Sequence, residues 1–95
     1  MMHENNRKKY KAQERIVKGF ANHRRIEILS LLKKEPELSV ADISEKLNIN
    51  FKTISEHIRR LHLADLVLKR YEGNNVRHKI TNRAQSILKF LRILE

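Results

Sequence analysis

LSVADISEKLNINFKTISEHIRRLHLADL, the stretch from Leu38 to Leu66, decides the fold of this chain because its pattern predicts two helices joined by a tight turn. In the second helix, Ile54, Ile58 and Leu61 follow one another at helical spacing and form one narrow apolar stripe that must face a core. The opposite side is polar and charged. Such a side is either an ordinary solvated surface or a surface that contacts base edges, and one helix taken alone favours the solvated surface.

Residues that prefer helix ends mark the limits of both helices. Ser39 begins the first helix, and Asp42 three residues later completes a capping signature. Asn48 in the turn can adopt the left-handed conformation that glycine often adopts. Asn50 is the predicted N-cap of the second helix, where its side-chain oxygen would accept a hydrogen bond from a backbone N–H near Thr53.

Charge points to the class of partner. The 95 residues suit one domain, and a chain of this size gains stability from a partner subunit. Lys and Arg number 21 against 11 Asp and Glu, which gives a formal charge of +10 and makes nucleic acid the first partner to consider. A membrane surface also attracts positive charge, but these cations are spread along the chain rather than confined to one amphipathic helix.

Composition also excludes several kinds of chemistry and targeting. No cysteine is present, which excludes disulfides, thiolate metal sites and cysteine nucleophiles. The start MMHENNRKKYK is not followed by an apolar leader, and no run approaches about 18 apolar residues. We therefore expect a cytoplasmic protein without a membrane partner.

The segments before the quoted stretch predict an arm and two helices. Residues 1–9 are polar and basic without apolar periodicity, so we expect a flexible arm there and a helix that begins at Tyr10. Asn22 is the predicted N-cap of the next helix, HRRIEILSLLKKE, whose apolar residues cover more than half of its circumference. That helix is the expected centre of the core, and Pro36 ends it.

Residues 66–81 predict a β-hairpin, and a last helix follows it. The turn from Glu72 to Asn75 contains a glycine and asparagines, which tolerate positive φ angles. Thr81 or Asn82 caps the last helix, NRAQSILKFLRILE, which carries more apolar surface than one contact face needs. We therefore expect a self-association surface on this helix and the first one. Its candidate residues are Ile16, Val17, Phe20, Ile87, Phe90, Leu91, Ile93 and Leu94.

This order of elements is typical of a winged helix-turn-helix domain. The expected fold is mainly α (α+β), with about five helices and a two-stranded hairpin wing in one domain over residues 10–95. Two segments are also similar to the ArsR-type family of bacterial and archaeal transcriptional regulators. FANHRRIEILSLL resembles the opening core helix of that family, and LSVADISEKLNINFKTISEHIRRLHLADLV resembles its helix-turn-helix. The resemblance covers about residues 20–82 and extends to both terminal helices, which form the dimer interface in that family.

The resemblance implies which residues would contact DNA. It places Phe51, Lys52, Thr53, Ser55, Glu56 and Arg59 on the major-groove face of the second helix. It also makes the hairpin tip from Gly73 to Arg77 a wing over the adjacent backbone or minor groove. A homodimer would then present the helix from Asn50 to Ala64 to successive major grooves, about 34 to 36 Å apart. Repression would follow where such a site overlaps a promoter.

Roles for the individual side chains follow from their hydrogen-bonding groups. Lys52 and Arg59 could donate to guanine, and Glu56 could accept from cytosine N4. With Phe51 and Ser55 they are the candidates for reading bases. The candidates for phosphate and wing contacts, which set position without reading sequence, are Asn50, Thr53, Arg70, Asn74, Asn75, Arg77 and Lys79.

The resemblance also bears on metals and cofactors. Metal-sensing members carry two cysteines in a pattern like ELCVCDL, whereas this chain has ELSVADI, with Ser39 and Ala41 at those places. Other members place histidine and carboxylate ligands on the last helix, and here that helix has no histidine. His57 and His62 share a helix but stand five apart, so they do not stack on one face. We expect no metal and no cofactor.

Other classes of function stay open to different degrees. A winged helix can serve as a protein docking module, and its basic surface could instead bind nucleic acid without sequence preference, or RNA. Aromatic residues for stacking on single-stranded RNA are scarce. An enzyme is the weakest alternative, because the chain has no cysteine, only two glycines, and no paired carboxylate and histidine placed to cooperate.

Overall fold

The computed structural model describes residues 4–95, which form five α-helices and one two-stranded antiparallel hairpin. In chain order these are α1 Glu4–Phe20, α2 His23–Lys34, α3 Val40–Leu47, α4 Phe51–Leu63, β1 Val67–Glu72, β2 Asn75–Ile80 and α5 Asn82–Ile93. This order confirms the predicted winged helix-turn-helix fold, in which α3 and α4 are the helix-turn-helix and the hairpin is the wing. None of these helices is long and apolar enough to cross a membrane.

The first helix begins earlier than predicted. α1 starts at Glu4 rather than Tyr10, so the predicted flexible arm is wrong for residues 4–9, and residues 1–3 lie outside the described residues. The prediction relied on apolar periodicity, but residues 4–15 are all exposed and have no core to face. The helix there is favoured instead by residues of good helix propensity and by the carboxylate of Glu4 in the first turn.

α2 is the central helix of the core, as predicted. Its residues Ile28, Leu29 and Leu32 are buried, and the helix packs against α1, α4, α5 and β2. Burial of each such side chain contributes about 1.5–3 kcal/mol. Asn22 is the N-cap, since its Oδ1 accepts hydrogen bonds from two backbone N–H groups of the first turn, at 2.9 and 3.2 Å. Four elements are therefore positioned against one capped helix.

Side-chain caps define the turn between α3 and α4. Ser39 Oγ accepts a hydrogen bond from the N–H of Asp42 at 3.1 Å, and the Asp42 carboxylate accepts one from the N–H of Ser39 at 3.0 Å. Asn48 ends α3 with a φ angle of 54°, the left-handed conformation predicted for it. The apolar stripe of α4 is buried. The other side of α4 must therefore face outward.

The hairpin has the predicted position and a two-residue turn. Glu72 pairs with Asn75 at the end of the ladder, and Gly73 in the turn has a φ angle of 60°, which glycine adopts without strain. At the other end, His78 of β2 forms a bridge with Leu38 in the segment before α3. The wing is thereby anchored to the helix-turn-helix rather than to the core alone.

Candidate nucleic-acid interface

The outward side of α4 carries the side chains that the sequence predicts to read bases. All five are exposed, namely Phe51, Lys52, Ser55, Glu56 and Arg59. They occupy neighbouring positions one and two turns apart, which places them on one face of the helix. Phe51 is 54% exposed. A large apolar side chain held in solvent beside hydrogen-bonding groups suits contact with a thymine methyl group.

Asn50 is the N-cap of α4, as predicted. Its Oδ1 accepts a hydrogen bond at 2.8 Å from the N–H of Lys52, the residue before Thr53. The oxygen is therefore used within the helix, and the side-chain NH₂ group is the part of Asn50 left to contact a phosphate. Thr53, the next candidate for a phosphate contact, is exposed.

Glu56 binds two arginines on the outward face of α4. Arg59 donates to its two carboxylate oxygens, from Nε at 2.9 Å and from Nη2 at 2.6 Å, and Arg60 donates from Nε at 3.2 Å. The hydrogen bond from Arg59 is the main cause that lowers the pKa of Glu56 to about 2. Glu56 and Arg59 therefore satisfy each other in the free chain. The sequence prediction assigned each a base partner and overlooked the spacing that lets them pair.

The wing arginines also have partners that the sequence prediction missed. Arg70 donates to the carboxylates of Glu37 at 3.1 Å and Glu72 at 2.7 Å. Arg77 donates to the backbone carbonyl of Glu37 at 3.1 Å. The spacing of Arg70 and Glu72, two apart on one side of a strand, was a signal for the second pair. Asn74, Asn75 and Lys79, the remaining wing candidates, are exposed.

The predicted self-association residues lie on α1 and α5, except Leu94, which is the C-cap of α5. The exposed fractions of Val17, Phe90, Ile93 and Leu94 are 50%, 54%, 72% and 64%, and Ile16, Ile87 and Leu91 are half-buried. An open concavity of about 440 Å³ lies between the two helices, with Val17 and Phe90 among its lining residues. Phe20 differs from the rest, because it is only 9% exposed and belongs to the chain's own core.

Among the described histidines, His57 lies within range of the charge of His23, and His78 within range of the charge of His62. Within residues 4–95, no group of three or more His, Cys, Asp or Glu side chains could hold a metal ion. His78 is buried, and its Nδ1 lies 2.8 Å from the carbonyl oxygen of Leu38, which assigns the proton to that nitrogen. Burial, followed by the charge of Arg25, lowers the pKa of His57.

A sequence model of the arsR family of bacterial regulatory proteins matches residues 22–69, from the N-cap of α2 into β1. The chain belongs to this ArsR family. Its α3–α4 pair and hairpin are accordingly a DNA-binding winged helix-turn-helix of the ArsR type, as the sequence resemblance implied.

Two individual relatives match over more of the chain. The transcriptional activator HlyU of Vibrio cholerae is 33% identical over 67 residues, which are 70% of this chain and 61% of HlyU, so the match spans less than two thirds of that relative. The HTH-type transcriptional regulator MJ1325 of Methanocaldococcus jannaschii is 32% identical over 84 residues, 87% of this chain and 94% of MJ1325.

A solved structure shares the whole architecture. The homodimeric winged helix-turn-helix DNA-binding domain Mb0332 of Mycobacterium bovis superposes with a TM-score of 0.87, at 24% identity, over 99% of this chain and 87% of that chain. The likeness includes both terminal helices, since almost the full length of this chain is covered.

Proposed function

We propose that this chain is a sequence-specific regulator of transcription that binds double-stranded DNA as a homodimer. In this proposal α4 enters the major groove, and the hairpin tip from Gly73 to Arg77 contacts the backbone or minor groove. The observation that carries it is the outward face of α4. Five side chains able to contact base edges are exposed together on a helix whose opposite face is buried in the core of an ArsR-family fold.

Charge supports nucleic acid over an acidic protein as the partner. The formal charge of +10 favours a polyanion. Exposed cations lie on all five helices and on the wing, so positive charge is spread over the surface rather than confined to one isolated patch. Phosphate contacts by the cations next to α4 would fix the position of that helix while its own side chains distinguish bases.

The dimer part of the proposal rests on the apolar surface of α1 and α5. A single chain leaves Val17 and Phe90 half or more exposed at an open concavity, and Ile93 near the end of α5 is exposed as well. A second copy would remove this surface from water, and a two-fold axis there would generate two α4 helices for a pseudo-palindromic site. Repression follows where the bound dimer covers a promoter. The position of the operator decides this output, since the relative HlyU is named an activator.

The double variant Lys52→Ala and Arg59→Ala tests the α4 assignment. Duplexes selected from a random pool by the wild-type protein would be bound about 10- to 100-fold more weakly, and the selected sequence would change at the contacted positions, since each good base contact contributes about 1–3 kcal/mol. Lys33→Ala with Lys34→Ala removes the same charge from the end of α2 and serves as the control.

Two outcomes would contradict the proposal. An unchanged footprint and affinity in the α4 double variant would show that another surface reads the sequence. If the wild-type protein bound no duplex even at low salt, a protein docking role would replace DNA binding, because counterion release makes every DNA binder of this charge bind tightly there.

A further inference from the structure

A basic cleft lies beside α4, and it includes none of the residues proposed above to contact DNA or a second copy. It has a volume of about 270 Å³, and its lining residues come from α1, α2 and α4, with Ala64 just after α4: Arg15, Lys18, Gly19, Arg25, Arg60, Leu63 and Ala64. Four of these seven residues are cations, and none is acidic. Since a water molecule occupies about 30 Å³, the cleft has room for a tetrahedral oxyanion and several waters.

Arg25 is fixed at the back of the cleft by the end of α1. Its Nη1 donates to the backbone carbonyls of Lys18 at 3.1 Å and Gly19 at 3.0 Å, where the helix ends without further backbone partners. Its Nε is buried and has no hydrogen-bond partner among the described residues. A guanidinium held in this way presents its remaining donors without losing much freedom on binding an anion.

Like charges are held close together in the cleft. Burial lowers the pKa of Arg25, and the charge of Arg60 lowers it further. The carboxylate of Glu56, which bonds both Arg59 and Arg60, acts in the opposite direction and is the smallest of the three effects. Lys18 has one carboxylate partner, Glu14, at 3.8 Å with both side chains exposed. An anion in the cleft would relieve repulsion that the free chain retains.

The close approach of α1 to the end of α4 creates this arrangement. A Cβ atom built on Gly19 would lie 2.4 Å from the Cβ of Ala64, so only glycine permits this contact. Arg15, one turn before Gly19, and Lys18 are thereby brought beside Arg60. Because Arg60 also bonds Glu56 on the outward face of α4, the cleft adjoins the surface proposed to enter the major groove.

We propose that this cleft binds a phosphate group of the DNA backbone at the edge of the major groove that α4 occupies. The proposal rests on the DNA-binding function proposed above. A phosphodiester has the charge and the acceptor oxygens that the Arg25 and Arg60 guanidinium groups and the Arg15 and Lys18 cations would share. Its recognition would be independent of sequence and would hold α4 in register.

The test is the double variant Arg15→Gln and Lys18→Gln, compared with Lys8→Gln and Lys11→Gln at the exposed start of α1. Both variants remove two charges from the same helix, and all four residues are exposed. Affinity for the selected duplex and for a random duplex is measured against salt concentration. The cleft variant should lose about tenfold on both duplexes and reduce the log–log salt slope by about 1, with the selected sequence unchanged. The control should keep the wild-type slope.

These measurements distinguish an error in the cleft proposal from an error in the DNA-binding proposal. If the cleft variant kept the wild-type slope while Lys52→Ala with Arg59→Ala altered sequence preference, the cleft proposal would be overturned and DNA binding by α4 would stand. If the wild-type protein bound no duplex, both would be overturned.

A titration with inorganic phosphate tests whether the cleft binds a phosphate group of DNA or a free phosphate ion. It is titrated at constant ionic strength while the ¹⁵Nε signals of Arg25 and Arg60 are followed. Saturation by inorganic phosphate, combined with an unchanged DNA salt slope in the cleft variant, would assign the cleft to a free ion and overturn the proposal.

Discussion

Glu56 bonds two arginines on the face of α4 and so controls how much positive charge that face presents. Arg59 and Arg60 both bond its carboxylate, and because these bonds lower its pKa to about 2, the carboxylate stays ionised well below neutral pH. A phosphate or a guanine must compete with this carboxylate for either arginine. A DNA sequence whose acceptors bond the arginines more strongly than Glu56 does is therefore bound in preference to other DNA sequences.

The variant Glu56→Gln should therefore bind more tightly and discriminate less. Loss of the carboxylate leaves both arginines available to any phosphate, so affinity for random duplex should rise roughly 3- to 10-fold and the salt slope should steepen. The ratio of affinities for selected and random duplexes should fall. Glu35→Gln is the matched control, because it removes one carboxylate from an ion pair with Lys46 outside α4. A specificity ratio that stayed constant would mean that Glu56 does not compete with DNA.

Single residues differ in how far the sequence predicts them. The caps at Asn22 and Ser39 were predictable, because a cap depends only on residues within one helical turn. The pairing of Glu56 with Arg59 was visible as a spacing, but a spacing does not decide between a neighbour and a base as the partner. The contact of Arg70 with Glu37 joins residues 33 apart and exists only once the hairpin has folded against the segment before α3.

Elements were predicted where an apolar pattern or a turn specified them. α2, α3, α4 and the hairpin satisfy this condition, and each lies where it was expected. The first half of α1 does not, because its residues are exposed to solvent and only local effects, helix propensity and the Glu4 carboxylate in the first turn, support it. The cleft also escaped prediction, since three separate elements and the Gly19 to Ala64 contact must assemble before its cations meet.

The junction between the wing and the helix-turn-helix contains a buried histidine. The N–H of His78 donates to the carbonyl of Leu38 at 3.0 Å, and its carbonyl accepts from the N–H of Glu37 at 2.9 Å. The side-chain Nδ1 adds a third bond to the Leu38 carbonyl. Burial is the main cause that lowers the pKa of His78. The Leu38 bond opposes this effect, and the nearby charges of Lys69 and His62 add to it.

Protonation of His78 should weaken this junction at mildly acidic pH. The unfolded chain takes up the proton near the ordinary pKa of 6.5, whereas the folded chain takes it up only at lower pH. His78 therefore contributes its full stability above about pH 6.5, and that contribution is lost as pH falls from there toward the folded pKa. The thermal midpoint of the wild type should drop between pH 7.5 and 5.5 by more than that of His78→Leu.

An exposed histidine provides the control for this pH dependence. His23→Gln changes a histidine at the start of α2 that is exposed, so this variant should keep the wild-type pH dependence. Equal loss of stability in the wild type and in His78→Leu would show that protonation of His78 does not govern the junction.

At the scale of the whole molecule, two surface features suit two kinds of partner. Exposed cations lie on α4, on the wing and on both terminal helices, and the exposed apolar residues Val17 and Phe90 line the concavity between α1 and α5. The first arrangement suits a polyanion, and the second suits a partner with the same apolar surface. Binding of two copies to one duplex would couple these properties, because each copy raises the effective concentration of the other at its half-site.

The double variant Val17→Asp and Phe90→Asp should be a monomer in solution. A charge at each of these positions, which are 50% and 54% exposed, would oppose burial in a dimer without disturbing the core. Light scattering should then give a mass near 11.4 kDa, against twice that value for the wild type. Affinity for a two-site duplex should fall at least about 100-fold, while affinity for a random duplex should change less.

The control variant Leu68→Asp, at a position 51% exposed on β1, should keep the dimer mass. If the wild-type protein had the mass of one chain at micromolar concentration, the proposed homodimer would be wrong. If the double variant remained dimeric, the self-association surface would lie elsewhere.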